Sequence, residues 1–176
     1  MSDGSYSLNK PETYYIRQAT LEDCAEVTRI WLAGQQSQGI TGKGDCSEMF
    51  RHKIEKQDDV FQVWVAEDEH ECILGWQSLS PIINNPFLKH LMAESSTYIC
   101  PNHRVKGVGR QLLVNALRHA EETPLKYVVA FVVAHNVGIL RIIDGVGFKR
   151  IGLLPTDYKS PDSPEWMFIA YEVPKK

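Results

Sequence analysis

The chain has no Cys-x-x-Cys pair, and its four cysteines (Cys24, Cys46, Cys72 and Cys100) are scattered without a regular framework. That absence argues against a disulfide-stapled secreted domain, and it points to free thiols in a reducing, cytoplasmic compartment. The six histidines show neither His-x-His nor His-Glu-x-x-His spacing, so no metal is expected. No apolar run approaches the roughly 18–20 residues of a membrane span, and the first residues lack a signal pattern, so no membrane partner is expected. Positive charge is also short. A formal net charge of −3 argues against a dedicated nucleic-acid binder, which would carry a broad basic face. Internal repeats and low-complexity segments are missing too.

What remains is an ordinary globular composition, 43% hydrophobic and 23% charged over 176 residues. Such a chain can bury a sizeable core without staples. Residues 1–12, "MSDGSYSLNKPE", are polar and read as a frayed leader; residues 13–174 read as one domain.

Strand character appears in "YYIRQA" (14–19), and Thr20 followed by Glu22 and Asp23 predicts the start of a helix over 21–33. "GQQSQGITGKGD" (34–45) reads as a polar loop. Ser47 is expected to cap a second helix to about Gln57, with Met49, Phe50, Lys53 and Ile54 on one stripe. "FQVWVAED" (61–68) and "CILGWQSLS" (72–80) flank the short turn "EHE" and predict a hairpin. A loop (81–92), a strand "ESSTYIC" (94–100) and a helix over 108–122 follow. "KYVVAFVVA" (126–134) is almost continuously apolar, as expected of a central strand buried on both faces. Asn136 opens a last helix ending near Gly145, and two strands (147–154 and 165–173) close the chain around a Pro-, Asp- and Ser-rich loop. The order β-α-α-β-β-β-α-β-α-β-β predicts an α/β (α+β) fold. Its mixed, mostly antiparallel central sheet has about six or seven strands, with helices on both faces.

One turn stands out. In "NHRVKGVGRQLL" (102–113) the spacing is Arg104-x-x-Gly107-x-Gly109, directly after a strand and directly before a helix. The first turn of a helix exposes N–H groups without intrahelical acceptors, and the macrodipole adds positive potential there. Glycine lets an anion reach those groups, and Arg104, Lys106 and Arg110 add charge. A pyrophosphate is the natural guest, although a basic helix start with a glycine turn also arises by chance. A Walker loop would need Gly-Lys-Ser/Thr at a longer spacing, which is missing. A dinucleotide fingerprint would need a third glycine where Leu112 stands.

The pattern R/Q-x-x-G-x-G/A resembles the coenzyme A loop of the GCN5-related N-acetyltransferase (GNAT) superfamily, and the likeness extends over residues 14–173. "YYIRQATLEDCAEVTRIW" resembles that family's opening strand and helix, "VWVAEDEHECILGW" its second and third strands, and "VAHNVGILRIIDGVGFKRIG" its second cofactor segment. "AESSTYICPNHRVKGVGRQLL" resembles the signature of the phosphinothricin acetyltransferase-like branch, with Glu94, Tyr98, Pro101 and His103 at its marked positions.

The resemblance implies acetyl-CoA as co-substrate and direct attack of an amine on the thioester. It implies a strand 94–100 that splays from its neighbour and leaves open backbone groups at Ile99 and Cys100 for the cofactor. It places the pyrophosphate on the loop Arg104, Val105, Lys106, Gly107, Val108, Gly109 and Arg110. Asn136 would touch the cofactor, or would serve only as a helix cap. Glu94 is the expected general base, the alternative being a solvated residue at a strand entry.

Where the family often has a tyrosine to protonate the leaving thiolate, this chain has Ile143. Tyr98 and Cys100 are weak substitutes, and a covalent acetyl-Cys100 is disfavoured because spacing supplies no His or Asp partner. His135 could line the cleft, whereas His103 reads as part of the loop's polar surface. Loops 34–45 and 81–92 are expected to face the acceptor. With only Lys89 and His90 basic in the second loop, a small amino-acid-like amine of some apolar character is the expected partner. A peptide or protein N-acetyltransferase and a weakly active acyl-CoA-binding module are the rivals. The family likeness also makes a homodimer plausible.

Overall fold

The structure, a computed structural model, describes residues 13–40, 44–103, 105–154 and 164–175. The proposed leader 1–12, Arg104 and the loop 155–163 lie outside the described residues.

Seven strands form one sheet: β1 (Tyr14–Gln18), β2 (Val63–Asp68), β3 (Ile73–Pro81), β4 (Met92–Ile99), β5 (Tyr127–Val133), β6 (Lys149–Leu153) and β7 (Trp166–Glu172). Their spatial order is β1-β2-β3-β4-β5-β7-β6. Every neighbouring pair is antiparallel except β4 with β5, as the sequence order predicts. Two helices, α1 (Cys24–Ser37) and α2 (Ser47–Glu55), pack with Val63, Val65 and Trp76 on one face. The other two, α3 (Val108–Glu121) and α4 (Val137–Val146), cover Leu79, Ala93 and Val128 on the opposite face.

Local chemistry accounts for most boundaries. Asp23 accepts the Thr20 N–H at 2.7 Å and closes a single 3-10 turn (Leu21–Asp23) ahead of α1. The same carboxylate takes two bonds from Arg17, at 2.7 and 2.8 Å, and Arg17 Nε reaches Glu67 on β2. One charged cluster therefore ties β1, the entry to α1 and β2 together. The first residue of α2 is Ser47; its predicted capping place belongs to Cys46, and Asp45 accepts the Ser47 N–H at 2.8 Å. The helix α4 runs past Gly145 and ends at Gly147, whose φ of +96° is a left-handed conformation that favours glycine.

Two expectations fail for reasons of tertiary packing. The helix α1 does not stop at residue 33 but continues through Gly34 to Ser37. A side chain at Gly34 would stand 2.5 Å from the Tyr98 ring, so the glycine permits a close approach that its low helix propensity would not predict. Nor is β5 buried along its whole length: Phe131 is 38% exposed, because β4 has already turned away from it.

Candidate active site

The β4–β5 ladder lasts three rungs, Met92–Tyr127, Ala93–Val128 and Glu94–Val129, and then opens. Which peptide groups this exposes follows from alternation. The Cys100 N–H donates to the Leu74 carbonyl of β3 at 2.8 Å. In an antiparallel ladder successive residues direct their peptides to opposite sides, so Tyr98 and Ser96 also bond toward β3. Thr97 and Ile99 direct theirs toward the gap. From the far wall Phe131 does the same, since Ala134 and its even-numbered neighbours serve β7. Open ladder positions of this kind accept an extended ligand as an additional strand.

The gap is a cleft of about 440 Å³, within the range of small-molecule sites. Its lining includes Glu94, Ser96 and Tyr98 of β4, Gly34 and Ser37 of α1, and Gly109 at the mouth of α3. Beneath it, fully buried Gln77 donates to Ser95 Oγ at 2.8 Å and accepts a bond from Thr97 Oγ1, which holds both side chains in the wall. Tyr98 stacks on Trp76 at 5.0 Å and accepts a 2.8 Å bond from Gln35. Burial pushes its phenol above the usual range.

Past the C-terminal end of β4 the backbone enters α3 through Gly107, whose φ is +93° and whose Cβ position faces open space. Gln111 bonds back to the Gly107 carbonyl at 3.0 Å. The N–H groups of Val108, Gly109 and Arg110 precede the first intrahelical acceptor. A side chain on Gly109 would grow against Ile99 at 3.4 Å. A bare amide nest, opening directly onto the slot, fits a pyrophosphate continued by an extended amide chain.

Comparison with known proteins agrees with this geometry. The sequence model of the Acetyltransferase (GNAT) domain matches residues 14–149. The chain belongs to the GNAT acetyltransferase family. YwnH of Bacillus subtilis strain 168, whose provisional name is phosphinothricin acetyltransferase, is 37% identical over 93 residues. That match spans 53% of this chain and 56% of YwnH, so the chain spans little more than half the length of this relative.

The fold is shared more widely than the sequence. The structure of yncA from Salmonella typhimurium, solved with acetyl-CoA, is 21% identical and superposes with a TM-score of 0.78 over 93% of this chain and 95% of its own. A phosphinothricin acetyltransferase from Sinorhizobium meliloti in complex with acetyl-CoA gives 20% identity and a TM-score of 0.77, over 92% and 89%.

Within this GNAT domain the expected site residues divide. Glu94, Ile99, Gly109 and Asn136 line the cleft. Val105, Lys106, Gly107, Val108 and Arg110 form the loop and the first helical turn beside it; Lys106 and Arg110 are exposed, whereas Val108 is buried in the core. Arg104 falls outside the described residues. Asn136 does cap α4, accepting the Ile139 N–H at 3.2 Å, and it borders the cleft as well.

Cys100 is a correction. Its N–H is already bonded to Leu74, and its fully buried side chain faces α1, where Arg29 reaches the sulfur at 3.2 Å. The open peptides belong to Ile99 and Thr97 instead. His135 is exposed and is not among the cleft residues, and His103 is exposed, as expected for loop surface. The loop 82–91 contributes no residue to the cleft wall, whereas the C-terminal end of α1 contributes Gly34 and Ser37. Ile143 is 1% exposed and forms part of the apolar floor.

Among the described residues no His, Cys, Asp and Glu group is arranged to hold a metal ion, and no helix is long and apolar enough to cross a membrane.

Proposed function

We propose that the protein, as a unit over 13–174, transfers an acetyl group from acetyl-CoA to the primary amine of a small amino-acid-like molecule. The observation that carries this reading is the continuity of two features. The amide nest at Val108–Arg110 opens onto a slot whose walls present the free peptides of Thr97, Ile99 and Phe131. When bound, acetyl-CoA supplies an activated thioester. The chain supplies position and proton handling. Amides at the start of α3, with Lys106 and Arg110, counter the pyrophosphate charge, and the slot aligns the pantetheine along β4.

Glu94 stands at the last rung before the ladder opens, and its carboxylate makes no hydrogen bond or ion pair among the described residues. A free carboxylate there can take the proton that an acceptor ammonium must lose before it attacks. Ile143 offers no proton to a departing thiolate, so that proton comes from solvent in this reading.

The same residue motivates a second reading, an acyl-CoA binder with little turnover. One experiment separates the two: thiol release from acetyl-CoA across a panel of small amines, alongside calorimetry with CoA. Release with amino-acid-like amines supports the transferase. Binding of CoA with no release from any amine or basic peptide supports the binder, and release from peptides alone would make the acceptor a polypeptide.

A further inference from the structure

Beside Glu94, on the face of the sheet covered by α1 and α2, lies a cluster that the acetyl-transfer reading leaves unused. Cross-strand register places Ser78 opposite Ser96 and Ser80 opposite Glu94, so these four side chains share that face. Lys53 of α2 comes down onto them, and its Nζ donates to Ser78 Oγ at 3.4 Å. Ser78 is fully buried, and Lys53 is half-buried. Ser80 Oγ is buried without a hydrogen-bond partner.

The charge on Lys53 is unanswered. Among the described residues no carboxylate lies within ion-pair distance of it, and a serine hydroxyl is its only hydrogen-bond partner. Glu94 acts on it only through space, while burial pulls its pKa below the usual lysine range. A half-buried ammonium with no anion is costly, and an orphan hydroxyl beside it adds to an excess of donors. Lysines that merely cover apolar surface carry the ammonium out to water; this one directs it inward to Ser78, whose cross-strand partner Ser96 lines the cleft together with Glu94.

We infer that Lys53 is a specificity-determining residue that reads the carboxylate of the acceptor, so that Glu94 and Lys53 together receive the two charges of a zwitterionic amino acid. This rests on the acetyl-transfer reading and adds to it the half of the acceptor that does not react. The ammonium of the acceptor lies toward Glu94, and its carboxylate replaces the missing counter-ion of Lys53, with Ser78 fixing the lysine and Ser80 offering a further donor.

The test compares each amino acid with its own carboxamide and with its decarboxylated amine in the thiol-release assay. The wild-type protein should prefer the acid over the amide by at least about tenfold in kcat/KM, the usual worth of one charge-assisted contact. Lys53→Met should erase that preference through KM, Lys53→Arg should keep most of it, and Lys53→Glu should reverse it. An acid-to-amide ratio near one in the wild type overturns the inference without needing any variant to fold. So does a ratio that survives in a folded Lys53→Met protein, with folding checked by thermal melting. Release that proceeds equally from acid and amide leaves acetyl transfer intact and removes only the Lys53 assignment. If no amine gives release, it is the acetyl-transfer reading that fails.

Discussion

Gly34 of α1 lies directly over the ring of Tyr98 on β4, so close that a Cβ would meet Cδ1 at 2.5 Å and Cε1 at 2.9 Å. The ring cannot withdraw, because it stacks on Trp76 at 5.0 Å and Trp76 abuts Phe50 at 5.4 Å. Two effects oppose each other in Gly34→Ala. Helix propensity favours alanine by about 1 kcal/mol, whereas overpacking a closed stack costs about 1–3 kcal/mol. The clash should win. Urea denaturation should show a net loss of up to about 2 kcal/mol, and a stabilised variant would mean that the Tyr98 stack yields freely.

Past this same end of β4 the prediction concerns affinity. Gly107→Val forces a β-branched residue to a φ of +93° and sets a side chain at the mouth of the amide nest. Calorimetry with CoA should show binding weakened by about tenfold or more. Gly145→Ala is the matched control. That glycine lies inside α4 with open space at its Cβ and no positive φ. It should gain about 0.5–1 kcal/mol of stability and bind CoA as the wild type does. Equal affinities in both variants would remove the nest from the cofactor site.

Much of this arrangement is legible in the residues alone, and the parts that are not have a common cause. Element order is readable because each segment carries its own period, alternating in β1 or three-to-four in α3. The glycine loop is readable because a positive φ and a bare helix start need particular residues. The peptide direction of Cys100 is not readable, because it depends on the parity of pairing with β3, and a one-residue change of register reverses it. An apolar run such as 126–134 cannot reveal whether a strand, a helix or a ligand covers it, which is why the exposure of Phe131 escapes sequence reading. Lys53 looks like padding on a helical stripe until Ser78 and Glu94 are brought to it from elsewhere in the chain.

Glu94→Gln keeps size and hydrogen-bonding capacity but removes the base. Calorimetric affinity for CoA should be unchanged, since Glu94 is not in contact with the nest, while kcat for thiol release should fall by about 10²–10⁴. Parity of kcat between variant and wild type would show that the acceptor arrives already neutral, or that another group takes its proton.

Stability toward acid should depend on Asp23, which is 6% exposed. Burial alone would raise its carboxyl, but the bonds from Arg17 and the Thr20 N–H outweigh this and hold it below the usual carboxylate range. A depressed folded-state pKa means that the stabilisation is complete above the unfolded value of about 3.9 and is lost as pH falls through the folded value. At neutral pH Asp23→Asn should therefore cost about 1.5–3 kcal/mol, the range for hydrogen bonds to a charged group. The gap should begin to narrow as the pH drops below about 4, where the unfolded carboxyl takes up a proton, and should close as the folded carboxyl follows at lower pH. Urea midpoints at neutral pH and at about pH 3 read the difference directly. A gap of constant size would assign the role of Asp23 to its shape in the 3-10 turn and not to its charge.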